Sequence, residues 1–148
     1  MSRKLCTIGF SQKNLRRFVQ LLQEAGVTKL IDTRLYNTSQ LAGYAKKDDL
    51  QFICETFGIQ YAHVVDLAPT DELVNRYKKM DKDWPAFQRD FNNLLIERNA
   101  ARLWETDLFH SEVNCLLCAE HKPEHCHRRL VAEHLHRAYP DIEIQHLT

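Results

Sequence analysis

Residues 5–34 read LCTIGFSQKNLRRFVQLLQEAGVTKLIDTR, and this stretch decides the fold class. A short apolar run of strand length opens it, and a second such run, VTKLIDTR, closes it. Between the two runs, apolar side chains recur at helical spacing: Leu15, Phe18, Val19 and Leu22. Ser11 is placed to cap this helix, and Gly26 is placed to end it. Strand, helix and strand in succession predict the beginning of a parallel α/β sheet.

The same alternation continues to the end of the chain. Further strands are predicted over IQYAHVV (59–65), VNCLLCAE (113–120) and IEIQHL (142–147). Further helices are predicted over 50–57, 71–79, 84–95 and 126–139. We therefore predict an α/β fold: one three-layer domain over residues 1–148, with a mostly parallel sheet flanked by helices.

The composition is typical of a globular protein and argues against several classes. Hydrophobic residues make up 44% and charged residues 27% of the chain, and twenty basic residues balance twenty acidic ones. No global charge therefore indicates a nucleic-acid or membrane partner. The apolar runs are all shorter than the ~20 residues that cross a bilayer. Five cysteines cannot all pair within one chain, and we expect reduced thiols in a cytoplasmic protein.

The ends of the predicted strands locate a site. Ligands of parallel α/β proteins bind outside the carboxyl ends of the strands. The residues delivered there are Gly9, Phe10 and Ser11 from the first strand, Asp32, Thr33 and Arg34 from the second, Cys118 and Glu120 from the fourth, and Cys126 and His127 from the loop that follows. These residues are far apart in sequence, and the pattern predicts that they share one edge of the sheet.

Cys126 is the leading candidate for a reactive thiol. It lies near a helix N-terminus beside His127 and Arg128, and each of these influences lowers the pKa of a thiol. Cys118, at a strand end, can be its partner or the nucleophile itself. His127 is the predicted acid/base, and this hypothesis makes the protein an enzyme of unspecified reaction. The carboxylates expected to hold His127 are those of Asp32 and Glu120.

The residues expected at the same edge also predict an anion-binding site. A helix N-terminus offers free N–H groups and a partial positive charge. Arg34 and Arg128 add guanidinium groups suited to phosphate or carboxylate, Ser11 lies at the same edge, and Lys46 can reach in from the 35–47 loop. The leading prediction is therefore a small anionic ligand, nucleotide-like or phosphorylated, with no cofactor required.

Two other functions remain open. Cys118, Cys126 and His127 can supply a Zn or Fe site, although the spacing matches no established zinc knuckle or finger. A nucleic-acid-binding or regulatory module is the other alternative, and the neutral net charge weakens it. Its phosphate contacts would be Arg16, Arg17, Lys46, Lys47, Lys78 and Lys79.

Several conspicuous residues are expected to have structural roles. Cys115 lies three positions before Cys118, so the two point to opposite faces of a strand, and we expect Cys115 in the core. The other residues expected outside the site are Trp84 and Phe87 in the core and His121 and His125 in a solvated loop.

Five stretches of the chain carry a family resemblance. They are TIGFS (7–11), IDTR (31–34), NTSQLAGYAKKDDL (37–50), GIQYAHVVDLAPT (58–70) and CLLCAEHKPEHCHRRLVAEHL (115–135). Together they resemble the bacterial family called domain of unknown function 488, over nearly the whole chain. The last motif is the most specific, with its LLCAE strand end and CHR helix start.

The resemblance implies a compact α/β domain and, by motif position, a set of site residues. That set is Asp32, Arg34, Ser39, Cys118, Glu120, Cys126, His127 and Arg128. Ser39 joins the predicted anion contacts in this way. Phe10 departs from the family, where a histidine commonly precedes the serine, and Tyr36 and Asn37 replace a commoner proline-containing loop. The resemblance implies a site and no particular reaction.

Overall fold

Five parallel strands form one sheet in the computed structural model, which describes residues 3–38 and 43–148. The strands are β1 (Arg3–Gly9), β2 (Lys29–Asp32), β3 (Gln60–His63), β4 (Asn114–Cys118) and β5 (Ile142–Leu147). Their order in the sheet is β3-β2-β4-β1-β5, and every pair is parallel. The predicted α/β class and parallel sheet are confirmed.

Five α-helices connect and flank the strands within the described residues. They are α1 (Leu15–Glu24), α2 (Lys47–Thr56), α3 (Asp71–Lys79), α4 (Trp84–Glu97) and α5 (His127–Ala138). Short 3-10 turns lie at Gly43–Ala45, Val65–Leu67, Ala100–Glu105 and Asp107–Phe109. Over the same residues, no helix combines the length and the apolar character that crossing a bilayer requires.

The sheet separates two apolar cores, which makes the domain three-layered. Alternate side chains of a strand point to opposite faces, so neighbours in one strand enter different cores. Cys6 and Ile8 pack with side chains of α1 and α2, whereas Leu5 packs with those of α4 and α5. Because both faces are covered, the strands are nearly continuous apolar runs, as in NCLLC. Cys115 is fully buried in the first core, as expected.

The topology places a crevice between β1 and β4. The chain leaves β1 through α1 toward β2, and it leaves β4 through α5 toward β5, on the other side. These connections run in opposite directions and cover opposite faces of the sheet. Ligands of open α/β sheets bind at such a switch point, beyond the carboxyl ends of the strands. Gly9 and Cys118 are paired there, at the edge that the sequence predicts.

Helix α1 begins with a different cap from the one predicted. Asn14 is the N-cap, and its side chain accepts a hydrogen bond of 2.8 Å from the backbone N–H of Arg17. The prediction that Ser11 caps the helix is wrong, because Ser11 lies in the turn before it and donates its backbone N–H to the Ala119 carbonyl. Gly26 follows the helix with a φ of 72°, which confirms it as the helix stop.

Replacing the two candidate caps tests this assignment. Asn14→Ala removes the acceptor of an N–H group in the first turn, so we expect the free energy of unfolding to fall by about 1 kcal/mol. Ser11→Ala is the matched control, and we expect a change within about 0.5 kcal/mol. Urea unfolding monitored by circular dichroism measures both. A larger loss for Ser11→Ala than for Asn14→Ala would contradict the assignment.

Candidate functional site

A cavity of about 350 Å³ opens at the switch point of the sheet. Its aromatic lining consists of Phe10, Tyr36, Tyr77, Trp84 and Phe87. Its polar lining consists of Arg34, Cys118, Glu120, His125, Cys126 and His127. The structure therefore brings five of the predicted site residues into one cavity: Arg34, Cys118, Glu120, Cys126 and His127.

Two cysteines and a histidine meet in this cavity. Cys118 ends β4, Cys126 is the N-cap of α5, and His127 is the first residue of that helix. One nitrogen of His127 and the two sulfurs lie within 4.8 Å of one another. The sulfurs of Cys118 and Cys126 lie at disulfide distance, whereas Cys6, Cys54 and Cys115 are free, and the expectation of reduced thiols stays a prediction for this pair. Their Cα atoms are 7.5 Å apart, wider than the ~4.4–6.8 Å usual for disulfides.

His127 is held by Thr33. Its Nε2 lies 2.8 Å from the Thr33 carbonyl oxygen and 3.0 Å from the Thr33 hydroxyl. The expectation that Asp32 or Glu120 holds the imidazole is therefore replaced, because Thr33 occupies that position. Burial, with a smaller contribution from Arg128, lowers the pKa of His127 to about 4 against the opposing effect of the hydrogen bond with Thr33. The imidazole is neutral at pH 7.

Arg128 holds the loop that carries the cysteines. It is fully buried, and its Nη1 and Nη2 donate to the carbonyls of Glu120 (2.6 Å) and His121 (3.3 Å). Nη1 also lies 3.5 Å from Cys118 Sγ, where a positive charge favours the thiolate. Its described contacts are thus with the protein itself, and the anion contact predicted for Arg128 stays a prediction.

Asp32 and Arg34 form a buried ion pair. Nε and Nη2 of Arg34 donate to the two oxygens of Asp32 at 2.9 and 2.8 Å, and Nη2 also donates to the Ala45 carbonyl. Tyr61 donates its hydroxyl to Asp32 at 2.6 Å, which together with burial raises the pKa of that phenol. Asp32 therefore supports Arg34 and does not line the cavity. Nη1 of Arg34 has no hydrogen-bond partner among the described residues.

The other predicted anion contacts lie outside the cavity or outside the described chain. Ser11 lines a separate open cleft beside the 120–125 loop. Lys46 lines a shallow cleft with Asp48 and Asp49, so it does not reach the Cys/His group. Ser39 lies outside the described residues, and its role stays a prediction.

Gly9 permits the close approach of the cysteine loop. A Cβ atom at this position would overlap the Glu120 carbonyl oxygen and would lie 2.9 Å from Nη1 of Arg128. The hydrogen bond between those two groups thus passes directly over the end of β1. Glycine is required here by space, because the loop backbone occupies the volume of a side chain.

Sequence reasoning missed several residues of the site. Thr33 is expected at this edge because it follows a strand, but its role as the hydrogen-bond partner of His127 is not predicted. Trp84 and Phe87 line the cavity as well as packing, and His125 stacks on Trp84 with centroids 5.0 Å apart. Trp84 and His125 are 41 positions apart, and a contact over that separation leaves no local pattern in the sequence.

Fold and site together define an α/β protein with a Cys/His centre at the switch point of a parallel sheet. Residues 14–135 match the family model described as domain of unknown function DUF488, and the chain belongs to this family. The matched range contains every predicted site residue except Ser11. No curated protein and no solved structure matches the chain.

Adding one methyl group at residue 9 tests the loop contact. Gly9→Ala displaces the Glu120 carbonyl and Arg128, so we expect a loss of about 1–3 kcal/mol in unfolding free energy. Gly43→Ala is the matched control, since no described residue lies within 4 Å of a Cβ at that position. Urea unfolding measures both variants. Equal unfolding free energies of the two variants would show that a Cβ atom at residue 9 does not clash with the loop.

Replacing one partner of the buried ion pair tests how much the pair contributes to the free energy of unfolding. Asp32→Asn leaves the Arg34 charge buried without its partner, so we expect a loss of about 3–5 kcal/mol. Tyr61→Phe removes one hydrogen bond to the same carboxylate and keeps the ion pair, so a smaller loss is expected. Chemical unfolding of both variants checks the order, and a larger effect of Tyr61→Phe would contradict it.

Proposed function

We propose that Cys118, Cys126 and His127 bind one Zn²⁺ or Fe²⁺ ion in the reduced protein, and that the centre serves an enzyme acting on a small molecule in the cavity. The observation that carries this proposal is the orientation of His127. One ring nitrogen of His127 lies within 4.8 Å of both sulfurs, and Thr33 fixes the ring through Nε2.

Hydrogen bonding determines which nitrogen is free. A carbonyl oxygen only accepts, so the contact with the Thr33 carbonyl requires a proton on Nε2 of His127. The Thr33 hydroxyl donates to the Leu117 carbonyl at 2.8 Å, and its oxygen is therefore also an acceptor toward Nε2. In the neutral ring Nδ1 then carries the lone pair. Metal-binding histidines typically donate their other N–H group to a backbone carbonyl in this way.

The ligand set suits a metal with one open position. Two thiolates and an imidazole are ligands that both Zn and Fe accept. Arg128 beside Cys118 favours the thiolate form, which is the form that binds a metal. Zinc centres with three protein ligands keep a fourth position for water or substrate.

The chemistry of such a centre is hydrolytic or Lewis-acidic. A bound metal ion would lower the pKa of a water molecule or polarise a substrate oxygen. Glu120 is exposed and lines the same cavity, so its carboxylate can accept and return a proton. Cys118 and Cys126 provide the thiolate ligands, and Thr33 positions His127.

A thiol enzyme with a small anionic ligand is the second candidate. The direct contact between the sulfurs of Cys118 and Cys126 favours it, because two thiols that form a disulfide can act as a redox pair. Arg34 would be the contact of the anion, since its Nη1 is unengaged among the described residues. The nucleic-acid-binding alternative stays a prediction.

Elemental analysis separates the two candidates. The tag-free protein is purified with a reductant and without a chelator, and its metal content is measured by mass spectrometry. We expect about one Zn or Fe per chain, reduced at least tenfold in Cys118→Ser, Cys126→Ser and His127→Ala. Cys115→Ala, on the same strand as Cys118 but facing the other core, is the matched control and should keep the metal.

A second measurement uses wild-type protein, so its result does not depend on whether the variants fold. Wild-type protein is stripped of metal, reloaded with Co²⁺ and examined for thiolate-to-cobalt charge-transfer absorption, which only sulfur ligands give. A reduced, folded protein that holds no metal and gives no such absorption with Co²⁺ overturns the metal proposal. A disulfide-specific mass difference that responds to reductant would then support the thiol candidate.

A further inference from the structure

We infer that the cavity binds a neutral planar heterocycle that carries an amino group beside a ring-nitrogen or carbonyl acceptor, the pattern of a nucleobase such as adenine. The inference deepens the proposed function, because it names the substrate class of the same cavity. It is carried by the ring lining, by two polar groups and by the balance of charge.

Aromatic side chains make up much of the cavity lining. Near-parallel rings form a column, Phe91–Phe87–Trp84–His125, with neighbouring centroids 5.9, 5.3 and 5.0 Å apart. The column runs from fully buried Phe91 to exposed His125, and its last three rings line the cavity. Phe10 and Tyr36 line it as well. Aromatic side chains can stack on any of the nucleobases, because every base has a π-face.

Two polar groups supply complementary hydrogen bonds. Arg34 is nine-tenths buried and lines the cavity, and the ion pair with Asp32 holds its guanidinium against the Phe10 ring at 5.1 Å. Its Nη1, which has no hydrogen-bond partner among the described residues, would be the donor for a ring nitrogen or carbonyl. Glu120 is exposed and lines the same cavity, and its carboxylate would be the acceptor for an amino group. Polar groups that orient a ligand in an otherwise apolar cavity are typical of small-molecule sites.

The charges of the lining disfavour a phosphate. Arg34 is the only Lys or Arg side chain that lines the described cavity, and the Asp32 carboxylate at 2.8 Å offsets its charge. Arg128 is buried, with two guanidinium nitrogens directed at carbonyls. Glu120 adds a negative charge to the lining. Among the described residues, an anion would meet the Glu120 carboxylate and an Arg34 charge already paired with Asp32, whereas a neutral base would satisfy both polar groups.

Trp84 provides a reporter for the test. The chain has two tryptophans, and Trp104 is buried in the second core, so Trp104→Phe leaves Trp84 as the source of tryptophan fluorescence. Adenine, purine, AMP and inorganic phosphate are titrated into this protein, both metal-free and Zn-loaded. We expect saturable quenching by adenine, with affinity about tenfold above that for purine, which lacks the amino group, and above that for AMP.

A cycle of variants assigns the amino contact. Glu120→Ala should remove the preference for adenine over purine and leave the affinity for purine unchanged within about twofold. Glu124→Ala is the matched control, an exposed acid of the same loop that does not line the cavity. Both positions are exposed, so neither variant should disturb folding.

The outcomes separate this inference from the metal proposal. Tighter binding of AMP or phosphate than of adenine overturns the inference, and so does the absence of adenine binding in both metal states. Preference for adenine that survives Glu120→Ala also overturns it. Metal content is measured on the same samples, so a protein that binds adenine but no metal supports the inference and contradicts the metal centre.

Discussion

The Arg128 guanidinium is fully buried at the end of β1, where it donates to two carbonyls of the loop that follows β4. These hydrogen bonds hold the loop over Gly9 together with the bond from the Ser11 backbone N–H to the Ala119 carbonyl, and so bring Cys126 and His127 to Cys118. A buried charge is costly unless its hydrogen bonds are made, so this loop conformation is strongly specified. The site therefore depends on an arginine whose described contacts are within the protein, and the ligand contact expected of Arg128 stays a prediction.

Thr33 joins three elements through a single residue. Its backbone N–H and its hydroxyl both bond to the Leu117 carbonyl of β4, and its two oxygens accept from His127 of α5. The residue itself follows β2. The direction of the imidazole is thus set by its hydrogen bonds to a residue of the sheet edge as well as by the helix that carries it.

The general architecture could be predicted from local patterns, because helical and strand periodicities repeat within a few residues. The edge containing Arg34, Cys118, Glu120, Cys126 and His127 followed from the rule about carboxyl ends. What could not be predicted was the direction of each long side chain. Ser11 and Asn14 are both good caps by residue type, and only the turn geometry chooses between them. The disulfide contact and the ring column depend on distances between separate elements, which spacing does not encode.

Because the connections at the switch point run in opposite directions, the two sides of the cavity come from different segments of the chain. The sulfur and imidazole groups come from the β4–α5 segment, whereas Arg34, Tyr36 and Tyr77 come from segments that follow β2 and β3. Tyr36, at which this chain departs from the loop common in the family, belongs to the second group. A change in that loop would therefore reshape one side of the cavity and leave the Cys/His group in place.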